Sequence, residues 1–98
     1  MMLKTYSKDG KTCEVKFKLP SLVRARTAVL CGDFTGRNEP PRKMRRLRGG
    51  GFMTTLLLPS GHYYRFHYVL DGSRWMSDPA ADISIPNAFG MEESILKV

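Results

Sequence analysis

The chain has 98 residues, 42% of them apolar, which is enough for one domain with one core, leaves little room for a second, and is too apolar for disorder. Nine glycines and six prolines, without sustained helical periodicity, favour an all-β domain rich in turns. The net charge of +7 is uneven: residues 1–50 hold 13 Lys and Arg against 4 Asp and Glu, whereas residues 51–98 hold 3 against 5.

Residues 1–10 read as an N-terminal extension and residues 11–98 as the domain. The opening residues lack an apolar stretch of signal-peptide length, and the short apolar runs, such as Leu56–Leu58, fall far short of the ~20 residues of a membrane span. A cytoplasmic location is therefore expected. Residues 12–19 alternate Cys13, Val15, Phe17 and Leu19 with Thr12, Glu14, Lys16 and Lys18, which predicts a half-buried strand stopped by Pro20. A short strand is expected at 27–31, ending at Gly32-Asp33. A basic loop follows from Arg37 to Arg48, with a brief edge strand at 44–47 and a turn at Gly49-Gly50-Gly51.

Residues 52–58 and 62–70, joined by Pro59-Ser60-Gly61, read as a β-hairpin of two long strands. Alternation in the first sends Phe52, Thr54, Leu56 and Leu58 inward and Met53, Thr55 and Leu57 outward. In the second it sends Tyr64, Phe66, Tyr68 and Leu70 to the core face, and Tyr63, Arg65, His67 and Val69 to the other. A tight Asp71-Gly72 turn then presents Trp75, the one tryptophan. Residues 78–90 read as irregular and 94–98 as a closing strand. About seven short strands predict an immunoglobulin-like β-sandwich.

Little points to catalysis. His62 and His67 are five apart on one strand and face opposite sides, Asp78-Pro79 reads as a turn cap, and no nucleophile elbow, phosphate loop or zinc-protease motif is present. No enzyme activity, cofactor or metal is expected. Cys13 and Cys31, without a secretion signal, read as two reduced thiols. The cluster Arg42, Lys43, Arg45, Arg46 and Arg48, with Arg37 before it, suits either a polyanion or a solvated loop.

Four segments occur in a telling order: VLCGDFTGRN (29–38), GGGFMTTLLLPSGHYYRFHYVLDG (49–72), WMSDPAADISIPNAFG (75–90) and SILKV (94–98). Together they resemble the family-48 carbohydrate-binding modules, the early-set sandwich domains beside the catalytic barrels of isoamylases and glycogen-branching enzymes. The glycogen-binding domain of the AMP-activated protein kinase β-subunit is a relative. The resemblance runs from Lys11 to the end of the chain. It implies a glucan site in which Trp75 is the second of two platform tryptophans, His67 stands at a hydrogen-bonding lysine position, and Phe89 is the apolar residue that enters the sugar curve. Met91 and Glu93 match the polar positions that follow. Arg37 stands where the first platform tryptophan belongs. Losing one ring and two or three hydrogen bonds weakens such a site by about 3 kcal/mol, roughly a hundredfold.

The expected function is thus a non-catalytic α-glucan-binding module with a partly eroded site, taking glycogen or malto-oligosaccharide. The alternative is a protein-interaction or regulatory sandwich that has lost sugar binding and docks a protein partner through Met53 and Leu57 or the basic loop. A third is polyanion binding through residues 37–48; nucleic acid is not the expected partner, and no membrane is.

Overall fold

Strict alternation along β2 (Thr12–Leu19) drives Cys13, Val15, Phe17 and Leu19 to one side, where all four are buried. The same period along β7 (Tyr63–Leu70) buries Phe66, Tyr68 and Leu70. These two apolar faces meet. Phe17 packs edge-on against Phe66 with ring centroids 5.4 Å apart, and Phe66 packs against Tyr68 at 5.8 Å. The computed structural model describes residues 2–34 and 41–98; over these the chain forms ten strands and no helix.

One sheet has the order β1 (Met2–Tyr6), β2, β6 (Phe52–Pro59), β5 (Arg45–Arg46). The other runs β4 (Arg42–Lys43), β3 (Ala28–Gly32), β7, β10 (Glu92–Lys97), β9 (Ile83–Pro86), and β8 (Arg74–Met76) also pairs with β7. Every pairing is antiparallel. The result is the immunoglobulin-like β-sandwich class that the strand pattern implies.

Four local expectations are corrected. First, β6 and β7 do not form a hairpin: β6 pairs with β2 and β5, while β7 pairs with β3, β8 and β10. Each strand buries most of one alternate face, Phe52, Thr54 and Leu58 on β6 and Phe66, Tyr68 and Leu70 on β7, and the two lie in different sheets instead of side by side. The Ser60-Gly61 turn carries the chain between sheets, Ser60 N–H donating to Lys11 O and Gly61 N–H to Val98 O. Second, the N-terminal extension is β1, registered against β2 from Met2–Phe17 to Tyr6–Cys13. Third, residues 78–90 are not wholly irregular, because 83–86 form β9 along β10.

Fourth, the basic segment is not one loop with a single edge strand. Arg42–Lys43 joins β3 in one sheet and Arg45–Arg46 joins β6 in the other; between them Met44 is buried and donates its N–H to Ala28 O. The segment crosses the open seam of the sandwich. Cys13 points into the core from β2, Cys31 lies half-buried on β3, and both are free thiols.

Gly51 is required where the turn after β5 meets the segment after β2. Its φ is +84°, and a Cβ there would lie 2.3 Å from the Leu19 carbonyl oxygen, a backbone atom that cannot swing away. Gly51→Ala is expected to cost at least ~2 kcal/mol in urea unfolding. Gly49→Ala, which meets open space at an ordinary φ, should stay within ~0.5 kcal/mol.

Candidate functional site

Trp75 sits where three strands converge. The turn after β7 has positive φ at Asp71 (51°) and Gly72 (76°), and Ser73 N–H donates to Leu70 O. Two successive positive φ values give the twist that folds β8 directly back onto β7. Asparate-type chemistry at the first position helps: Asp71 Oδ1 accepts the backbone N–H groups of Arg26 and Thr27 at 2.7 and 3.1 Å, tying the turn to the segment before β3. The register then sets Trp75 opposite Val69 on the outer face of the sheet, diagonal to His67.

The consequence is a stacked pair. The His67 and Trp75 rings lie 3.5 Å apart between centroids with 7° between their planes. Only 17% of the imidazole side chain is exposed, whereas the indole is half-buried, so His67 forms the bed and Trp75 lies over it. The indole N–H donates to Glu92 O at 3.2 Å, which fixes its in-plane orientation against the start of β10. With one face on His67 and the N–H occupied, what a ligand can meet is the exposed remainder of a half-buried ring. A flat indole fixed in this way suits an apolar sugar face, a partner's ring or an aliphatic side chain.

Of the remaining site residues, Glu93 reaches the pair. Glu93 follows Glu92, and its Oε1 lies 3.8 Å from His67 Nδ1. That nitrogen is buried and makes no hydrogen bond. Burial pushes the imidazole below its ordinary value near 6.5, against the opposing pull of the Glu93 carboxylate. Phe89 and Met91 belong to the turn between β9 and β10. Asn87 organises that turn: its Oδ1 accepts the N–H groups of Phe89 and Met91 at 2.9 and 3.1 Å, and its own N–H donates to Met91 O at 2.7 Å. The turn is stitched to itself, yet Phe89 remains 87% exposed at its tip. Arg37 lies outside the described residues.

Sequence reasoning missed Asn87 and the Glu92 carbonyl. The Asn-Ala-Phe-Gly spacing carries a turn signal that points to Asn87. Nothing local points to the carbonyl. Beyond the platform, Ile85 lies opposite Glu93 and Ile83 opposite Ile95, beside a shallow cleft of about 290 Å³ also lined by Tyr63 and Arg65.

The basic residues do not gather at the platform. Arg42, Lys43, Arg45, Arg46 and Arg48 are all exposed, and the two-sheet crossing divides them: Lys43 pairs with Val29 on one sheet and Arg45 with Met53 on the other. Of the two residues considered as a docking strand, Leu57 is exposed and Met53 is half-buried between Lys18 and Arg45. Cys31 is registered opposite His67, and burial pushes its thiol up, towards the neutral form. Among the described residues no group of three His, Cys, Asp or Glu could hold a metal ion.

Neither a family model nor a curated protein matches the chain. Among solved structures, the enterochelin esterase of Shigella flexneri is similar in fold, with a TM-score of 0.76 and 13% identity. The match covers 98% of this chain and 32% of that one, so this chain spans about a third of the neighbour's length.

The stacked pair gives a pH prediction. An imidazole harder to protonate in the fold than in the unfolded chain makes the unfolded state bind more protons below pH ~6.5. Its contribution to stability is therefore complete above that pH and declines as the pH falls towards the lowered folded value. The shifted carboxylates, Asp9, Asp71 and Asp82, all move downward and titrate in more acid solution. Thermal melts should show a lower Tm at pH 5 than at pH 7.5, and His67→Gln should flatten this difference. Indole emission should be quenched over the same interval, since a protonated imidazole stacked on the ring is an efficient quencher.

Proposed function

We propose that the chain is a non-catalytic α-glucan-binding module whose platform is Trp75. The observation that carries this reading is the half-exposed indole laid flat on His67 and pinned through its N–H to Glu92 O. An immobilised ring loses little side-chain entropy on binding, so most of the stacking energy is retained. Phe89, at a stitched turn one strand-start away from Glu92, supplies an apolar wedge suited to the inner curve of a glucan helix. The resemblance to the family-48 modules supports the same assignment of Trp75 and Phe89.

The stacking supports a different role for His67. Stacked beneath the indole, its ring serves better as the platform's support than as a hydrogen-bond partner for sugar hydroxyls. One aromatic face contributes about 0.5–1.5 kcal/mol beyond area burial, so the module binds weakly alone and gains from many equivalent chain ends on one glycogen particle. A solved structure three times as long shares this fold over one part of its length, which supports an accessory module more than a self-contained enzyme.

The second reading is a sandwich that has lost sugar binding and docks a protein. Phe89 favours it, since a phenyl ring 87% exposed on a rigid turn is as well suited to a partner's pocket.

Affinity electrophoresis separates the two. The protein should be retarded in gels containing glycogen or amylopectin. Trp75→Ala should abolish the retardation, and Phe89→Ala should weaken binding by about tenfold, roughly 1.4 kcal/mol, with both variants remaining folded by circular dichroism. Equal migration of wild type and Trp75→Ala with and without glycogen would remove the sugar reading and leave the docking one.

A further inference from the structure

A cleft lies away from the Trp75 platform, at the end of the sandwich where the segment after β2 meets the glycine turn before β6. It measures about 420 Å³, within the size range of small-molecule sites, and Arg24, Arg26 and Arg46 line it around a base that includes Phe52. Arg46 is distant in sequence from Arg24 and Arg26. Gly50 and Gly51 bring them together: a Cβ on Gly50 would lie 2.9 Å from Ser21 Cβ and one on Gly51 would strike Leu19 O, so only glycines let the two segments approach this closely.

The charge balance is one-sided. All three arginines are exposed, and none forms an ion pair among the described residues. Asp71 is the carboxylate in the cleft wall, and it is already engaged: Oδ1 takes two backbone N–H groups and Oδ2 faces Arg74 Nη2 at 3.4 Å. Arg74 in turn donates to the Arg24 carbonyl, bracing the segment that carries two of the three cleft arginines. Three guanidinium groups thus line the cleft against one carboxylate, and that carboxylate is tied to backbone N–H groups and Arg74; the excess positive charge matches a multiply charged oxyanion, which guanidinium groups engage through paired N–H donors.

We propose that this cleft binds the phosphate group of a phosphate ester, with Arg24, Arg26 and Arg46 as its ligands. The group can belong to a free sugar phosphate or to a phosphorylated glucan chain. The site is independent of the Trp75 platform and does not rest on the glucan reading. It also differs from a diffuse basic patch, because Arg45 and Arg48 do not line it, and Lys43 lines a neighbouring cleft that shares Arg26, Arg46 and Phe52 with it.

The test is a titration of the uniformly ¹⁵N-labelled protein with glucose 6-phosphate, at ionic strength held constant with sodium chloride. Saturating shifts confined to the backbone amides of residues 21–26, residue 46 and residues 50–52 are expected. Arg26→Gln/Arg46→Gln should weaken binding by at least about tenfold, while Arg45→Gln and Trp75→Ala leave it unchanged. Because all three side chains are exposed, melting curves should match the wild type; Arg24→Gln provides a second, independent loss of affinity. Retention on phosphorylated amylopectin beyond that on the dephosphorylated polymer, lost in the double variant, would assign the phosphate to a glucan chain. Binding of glucose 6-phosphate without that difference would assign it to a free sugar phosphate. Shifts that do not saturate, that spread evenly over residues 42–48, or that persist in the folded double variant would overturn the proposal.

Discussion

Two adjacent residues of β7 hold the segment after the Asp71-Gly72 turn from opposite faces of the sheet. His67 points outward and supports the Trp75 indole at 3.5 Å; Tyr68 points inward, and its hydroxyl donates to Asp78 Oδ2 at 2.7 Å in the buried interior. Burial and the Asp78 carboxylate push the Tyr68 phenol far above its usual range, so it stays a donor at any working pH. Asp78 continues the grip: its N–H donates to the buried Ser94 hydroxyl, and its Oδ1 accepts from Ala80 N–H. A buried carboxylate is tolerable only with such partners. The platform is thus a surface feature whose position is set by a polar network inside the sandwich.

The same strand explains why β8 and β10 can share one edge of β7. β8 takes residues 68–70 and β10 takes residues 63–66, leaving a break between them on the outer face. The indole spans that break through its bond to Glu92 O. At the far edge, Lys4 closes the sandwich by bonding both Asp82 Oδ2 and Lys97 O at 2.7 Å, which joins β1 to the end of β10. The opposite seam is crossed by the basic segment, with Met44 as its buried anchor. The crossing brings Arg46 to the cleft that Arg24, Arg26 and Asp71 also line.

The legible parts of this fold were those in which each residue reports its own environment. β2 and the inward half of β7 alternate because one face is dry and one is wet, and period two is visible without knowing the neighbours. Sheet membership is different. Pro59-Ser60-Gly61 announces a reversal, but a sandwich corner and a hairpin turn use the same residues, and the choice rests on whether the two buried faces oppose or adjoin. β9 escaped notice because all four of its residues are exposed, so no buried face imposes a pattern. Trp75, as an indole after a tight turn, was visible as a candidate. Its stacking on His67 was not, since a diagonal contact depends on the exact loop length between β7 and β8. Arg24 and Arg26 meet Arg46 only through the two glycines that let distant segments touch.

The central claim is that the outer face of the Trp75 indole is a sugar-binding surface. Saturation-transfer difference NMR on the wild-type protein with maltoheptaose tests it most directly, with irradiation placed on the indole protons. The account predicts transfer strongest to the C–H groups on one face of the glucose rings, with those protons shifted upfield by the ring current. Well-dispersed protein spectra with no transfer from the indole to maltoheptaose at millimolar concentration would contradict it.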